Sequence, residues 1–250
     1  PGGAGADLPL AATVLVLGGV GSGKTATIHS LLGRRLGGAE AAAAAFGAGT
    51  RKVTPISGRV AGAALTFIDT PGLRRGAGGI AHNQAVMKAV RSAQAKYKPD
   101  VVLYVDRADA VARGGGEAGI MRAVTDGLGK DAWFNTILLL THAAAPPPDA
   151  QAGTPVSFES FIQSRLQLMQ QAARAAAGDM RLQSPVALAE NHPACRTNPA
   201  GEALLPNGQA WRPTLLLNVL ASKLLAAAEG ILKTAAAATA AAAGGAGGGG

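Results

Sequence analysis

Cysteine is nearly absent, with Cys195 the one thiol in 250 residues. That excludes an internal disulfide framework and suits a reducing compartment. Aromatic residues make up only 4% of the chain, too few for a base-stacking platform, and no long basic run is present. Nucleic acid is therefore not an expected partner, although the formal net charge is +8. The charge reads instead as a solvated surface plus a phosphate-binding site. No clean membrane span is visible either. The longest apolar helical candidate, Leu215 to Leu232, is broken by Lys223 and Glu229, and its pattern suits packing better than lipid.

Alanine and glycine are abundant, and they mark the ends. Residues 1–9 read as a Gly/Ala/Pro-rich linker. Residues 235–250 read as an Ala run closing in glycines, which can prolong a helix before ending it. One globular unit is expected between residues 10 and 234. Within it, strand-like runs at 13–17, 53–60, 63–68, 101–105, 136–140 and 186–189 alternate with helical stretches. Those helices are expected at 26–36, 83–96, 117–128, 157–177 and 214–233. The alternation predicts an α/β fold: a mostly parallel sheet with one antiparallel edge strand and helices on both faces.

The strongest chemical signal is Gly18-Gly19-Val20-Gly21-Ser22-Gly23-Lys24-Thr25, placed between a strand and a helix. Glycines at this spacing let backbone N–H groups approach a β-phosphate, and the following helix adds its positive end. Gly21, Ser22, Gly23 and Ala26 are the expected cradle, Lys24 the catalytic cation on the phosphates, and the Thr25 hydroxyl a Mg²⁺ ligand. Asp69-Thr70-Pro71-Gly72 ends a later strand, where Asp69 would hold Mg²⁺ and the Gly72 N–H would sense a γ-phosphate. Thr50 and Thr54 both qualify to close over the metal, and Thr50 is the choice for that catalytic and metal-binding role. Leu73 stands where many small GTPases place a water-orienting glutamine, so slow intrinsic hydrolysis is expected.

Base recognition is atypical. The strand at 136–140 leads to Thr141-His142-Ala143-Ala144 and so lacks the usual Lys-x-Asp. His142 is the expected base contact, with Glu190 and Asn191 supplying the acceptor after the next strand.

In this order the motifs resemble the Toc-type preprotein receptor GTPases of the chloroplast outer envelope, nearest the large receptor branch, over roughly residues 12–233. The specific stretches are Asp106-Arg107-Ala108-Asp109, Thr141 to Ala144 with Pro146 to Asp149, Gly178 to Leu182, Val186 to Arg196, and Leu205 to Pro213. The resemblance implies GTP or GDP with Mg²⁺ as ligands, and a cytosol-facing place on the outer envelope. It implies precursor proteins bearing transit peptides, the import channel, and another Toc-type GTPase as partners. Membrane contact is implied only through regions outside this chain. It makes His142 the guanine-contacting histidine and places Glu190 and Asn191 in a second base-binding segment. Arg113 falls where an arginine reaches across a dimer toward the partner's nucleotide. Arg51-Lys52, where the large receptors usually have Thr-Ser, departs from the pattern, as do the small residues around Arg113. The alternatives are an interaction module with negligible turnover, a P-loop ATPase or nucleotide kinase, and a septin-like or immunity-associated GTPase.

Overall fold

The computed structural model describes residues 10–34, 49–110, 116–146 and 157–244. Six strands form one sheet in the order β2-β3-β1-β4-β5-β6. They are β1 (Ala11–Gly18), β2 (Thr54–Val60), β3 (Ala63–Asp69), β4 (Val101–Arg107), β5 (Thr136–Thr141) and β6 (Val186–Leu188). All neighbouring pairs are parallel except β2 with β3, the arrangement expected from the sequence.

The central strands need apolar residues on both faces, because helices cover both. Val14 to Leu17, Val101 to Val105 and Ile137 to Leu140 are accordingly all buried. The edge strand β2 is mostly exposed and carries Pro55, a residue tolerated where no further strand needs its missing N–H. Its hairpin to β3 turns on Ala61 and Gly62, with φ of 48° and 82°, the two left-handed positions of a type I′ turn.

Among the described residues five helices flank the sheet: α1 (Lys24–Leu31), α2 (Ile80–Tyr97), α3 (Gly116–Leu128), α4 (Phe158–Ala177) and α5 (Trp211–Gly244). α2, α3 and α4 pack side by side, and α1 packs with α5. The Ser157 side chain caps α4 by accepting from the Ser160 N–H, and Gly178 at φ 70° closes it. Trp133 lies buried against Tyr104, ring centroids 5.5 Å apart.

Three helices differ from expectation at their ends, and α2 starts three residues early, at Ile80. α1 begins at Lys24 and ends at Leu31, because Gly33 adopts φ 67° and turns the chain. α5 begins at Trp211, so Pro213 sits in the first turn, where its missing N–H has no intrahelical acceptor to lose. α5 also runs past residue 233 to Gly244. Packing explains only its start, where Trp211, Leu215 and Val219 are buried, while Leu224, Leu225, Ile231 and Leu232 are exposed. By length and composition alone, residues 211–236 of this helix could cross a membrane.

Candidate functional site

β1 delivers the chain at its C-terminal end into a loop whose Gly21 and Gly23 have φ of 73° and 83°. These left-handed positions around Ser22 turn successive N–H groups inward, the geometry of an anion nest. Gly21, Ser22, Gly23, Lys24, Thr25 and Ala26 line a cleft of about 890 Å³, with Thr50 and Gly72 on its wall. The Lys24 ammonium is buried and donates to the Gly18 and Gly19 carbonyls at 3.2 and 2.8 Å. Desolvation pushes its pKa down to about 8, partly offset by the nearby Asp69 carboxylate.

Thr25, Thr50 and Asp69 converge behind it. The Thr25 and Thr50 hydroxyls donate to Asp69 Oδ2 at 2.7 and 2.5 Å and lie 3.0 Å apart. Asp69 Oδ1 is buried without a hydrogen-bond partner among the described residues. Three hard oxygen donors and an unused carboxylate oxygen fit Mg²⁺. Held there, the ion would neutralise charge on phosphate oxygens. Thr54 stays outside the cluster, its hydroxyl donating to the Lys52 carbonyl at 3.0 Å.

The loop after β3 is locked to the P-loop. Leu73 N–H donates to the Gly18 carbonyl at 3.0 Å, and Val20 N–H to the Leu73 carbonyl at 2.9 Å. Gly72 allows this approach, since a Cβ there would lie 2.5 Å from Val20 Cα. The Leu73 side chain is 1% exposed and belongs to the core, so it cannot face water.

On the base side, Thr141 ends β5. Its hydroxyl lies 2.8 Å from the Ser22 carbonyl, 3.1 Å from the Asp106 carbonyl and 3.0 Å from His142 Nδ1. Both carbonyls require the hydroxyl as donor, so the bonding pattern assigns the proton on Nδ1 to His142 and leaves Nε2 as an acceptor. Burial, then the Arg107 charge, pulls the His142 pKa below its ordinary value, favouring this neutral form.

Glu190 is 5% exposed, and its two oxygens accept from the Ala144 and His192 N–H groups, each at 2.8 Å. It therefore clamps the two base-side turns together, a role its sequence position did not reveal. Asn191 Nδ2 donates to Thr27 of α1 at 2.9 Å, tying the same segment to the P-loop helix. Arg113 lies outside the described residues.

Sequence reasoning also missed three participants. Arg107 and Asp109 form a bidentate pair at 2.8 and 2.7 Å. Hydrogen bonding to the guanidinium holds the Asp109 carboxyl below its usual range. The pair sits against the P-loop, because Arg107 Nη1 also reaches the Gly21 carbonyl at 3.4 Å, and both of its charges act on His142. His82 of α2 contacts the Gly72 carbonyl at 2.9 Å through Nε2 and lines the phosphate side of the cleft. Nothing in its local sequence separates it from an ordinary helical histidine.

Two effects can be measured directly. Thr50→Val is expected to weaken Mg²⁺-dependent triphosphate binding about tenfold while leaving diphosphate binding within about twofold. Competition titrations with and without Mg²⁺ read both. The second concerns pH. With its folded pKa depressed, Lys24 holds a proton less readily folded than unfolded, so stability of the nucleotide-free domain rises with pH between about 8 and 10.5. A bound phosphate favours the ammonium, so binding takes up a proton above pH 8. Affinity should fall by roughly five- to tenfold between about pH 7.5 and 9. Calorimetry in buffers of different ionisation enthalpy counts that proton, and zero uptake at pH 9 would contradict the assignment.

A largely parallel sheet feeding a glycine nest, with a lysine and a Thr–Thr–Asp oxygen cluster at its mouth, defines a P-loop GTPase domain. Comparison with known proteins narrows the class. The AIG1 family model matches residues 12–174. The chain is 46% identical over 227 residues to translocase of chloroplast 108 from Physcomitrium patens, covering 91% of this chain and 22% of that protein. It thus spans about a fifth of the length of such curated relatives.

The structure of Toc33 from Arabidopsis thaliana in complex with Mg²⁺ and GMPPNP matches at 30% identity and TM-score 0.69, over 86% of this chain and 85% of that one. A further structure matches at 33% identity and TM-score 0.71, over 85% of this chain and 83% of that one. It belongs to the chloroplast translocon components atToc33 and psToc159, for whose GTPase activity dimerisation is important. The chain belongs to the AIG1 family, among its Toc GTPases.

Proposed function

We propose that this domain is a GTP-gated receptor module of chloroplast protein import. It binds GTP or GDP with Mg²⁺, contacts precursor proteins through their transit peptides, and hands them toward the import channel on the cytosolic side of the outer envelope. The names of the relatives and the Mg²⁺–GMPPNP complex of Toc33 support this reading. His142 Nε2 is the candidate acceptor for the guanine edge. Asn191 belongs to the second base-side segment, tied to Thr27 of α1, and Glu190 contributes through the loops it holds and through lone pairs left on its carboxylate.

Turnover is assigned to a pair of Toc-type GTPases rather than to one copy. The observation that carries this is Leu73, whose backbone is tied to the P-loop and whose side chain is core. The glutamine position therefore offers no group to orient water. Arg113 is the proposed residue that completes the partner's site, stabilising charge on the transferring phosphoryl group. Lys24 binds and orients the phosphates, and Gly72 reports the γ-phosphate to the switch loop.

The receptor reading is tested by titrating a purified precursor against the domain loaded with GDP or with GMPPNP. A difference of about fivefold or more between the two states is expected. Equal affinity, or binding that survives deletion of the transit peptide, would contradict it.

A further inference from the structure

α2 separates two clefts. His82 and Ala89 line the nucleotide cleft, whereas Asn83, Met87 and Arg91 line a second cleft of about 490 Å³ between α2 and α3. Arg74 borders both. The floor of the second cleft is apolar. Met87 is buried there, and Ile80 stands at the rim 57% exposed. Gly127 lets the helices nearly touch at one side, since a Cβ would lie 2.5 Å from Met87 Cε, while Gly119 faces open space with nothing within 4 Å.

Three exposed arginines, Arg74, Arg91 and Arg122, ring this cleft with one carboxylate, Asp126. None of the three pairs with a carboxylate among the described residues. Guanidinium groups around an apolar slot match carboxylates flanking an apolar side chain. The slot is concave, which a flat bilayer surface cannot fill.

The rim is wired to the phosphate site. Arg74 N–H donates to Asn83 Oδ1 at 2.8 Å, and Asn83 Nδ2 donates to the Arg74 carbonyl at 2.9 Å. Arg74 directly follows Leu73, which is hydrogen-bonded to Gly18 and Val20 of the P-loop. A change at the γ-phosphate that moves Gly72 and Leu73 therefore moves one wall of the second cleft.

We propose that this cleft docks an acidic peptide segment of a partner protein. One apolar side chain enters between α2 and α3, its flanking carboxylates pair with Arg91 and Arg122, and the nucleotide state sets the affinity through Arg74 and Asn83. The nucleotide dependence rests on the GTPase reading above; the docking itself does not.

The test is fluorescence anisotropy of a labelled helical peptide of about 15 residues built from Glu with Leu at helical spacing, titrated with the whole chain. A Lys-for-Glu counterpart is the control. The acidic peptide should bind about tenfold or more tighter than the basic one. Arg91→Glu combined with Arg122→Glu should weaken it about tenfold again. Gly119→Leu, which fills the slot from a position with no neighbour to displace, should weaken it comparably. Fluorescent GDP affinity should stay unchanged in both variants, which reports independently on the nucleotide site. GDP and GMPPNP forms should differ about threefold or more. Equal binding of the basic peptide, or indifference to both variants, would overturn the docking site. Arginine-dependent binding of phosphatidylserine vesicles without peptide binding would overturn it equally. Equal affinity in both nucleotide states, with fluorescent GDP still bound, would overturn the coupling alone.

Discussion

Lys24→Ala is expected to weaken GTP and GDP binding by about two to three orders of magnitude, without destabilising the nucleotide-free fold. The ammonium is buried at the cleft and bonded to two backbone carbonyls, so it is held in place before any phosphate arrives. Each charge-assisted bond it makes to phosphate contributes roughly 1.5–3 kcal/mol, and two such bonds at the lower half of that range give the stated loss. In the nucleotide-free domain the balance differs. Burial lowers its pKa to about 8, which means that the charged form is penalised there and its removal costs little. Titration with fluorescent GDP reads the first effect. Thermal unfolding reads the second, with nucleotide raising Tm in the parent and not in the variant. Affinity within about fivefold of the parent would show that the backbone nest alone holds the phosphates.

Gly18→Ala carries the largest expected cost in stability. Gly18 has φ 148°, and a Cβ built there would sit 2.1 Å from the Val105 carbonyl oxygen. Neither backbone can yield easily, because β1 and β4 are adjacent central strands in register through Gly18 and Val105. The loss is expected to be about 3–5 kcal/mol, large enough to unfold a domain of ordinary stability. Gly21→Ala is the matched control. Its φ is 73°, but nothing lies within 4 Å of the added carbon, so only the left-handed strain of about 1–2 kcal/mol remains. Urea unfolding midpoints of the two variants separate steric overlap from backbone strain. Equal midpoints would contradict the close approach at Gly18.

The sheet was legible in the sequence because its interior strands must be apolar on both faces. The runs at Val14 to Leu17, Val101 to Val105 and Ile137 to Leu140 had no other reading. The Asp69 turn and the P-loop were legible because phosphate and metal binding demand particular residues in a particular order. Helix ends were less so. Leu31 and Leu32 continue an apolar pattern that only the left-handed Gly33 interrupts, and Pro213 marks a boundary whether it precedes a helix or lies in its first turn. The base side was harder for a different reason. Arg107 and Asp109, two residues apart, give no sign in sequence that they pair with each other against the P-loop. Glu190 reads as an available acceptor until Ala144 and His192 are seen to occupy both oxygens. Arg165 sat unnoticed in the α4 stripe, yet it is buried and donates to the Arg107 carbonyl at 3.1 Å. Each of these depends on contacts between distant segments, which local pattern does not encode.

We propose that one copy of this domain holds a site complete for binding and incomplete for hydrolysis. Steady-state GTP turnover per molecule, measured across a wide range of protein concentration, tests it most directly. Specific activity should rise with concentration as pairs form, and Arg113→Ala should flatten that rise while leaving GDP affinity unchanged. A rate per molecule that stays constant across the range, and equal in the Arg113→Ala variant, would contradict it.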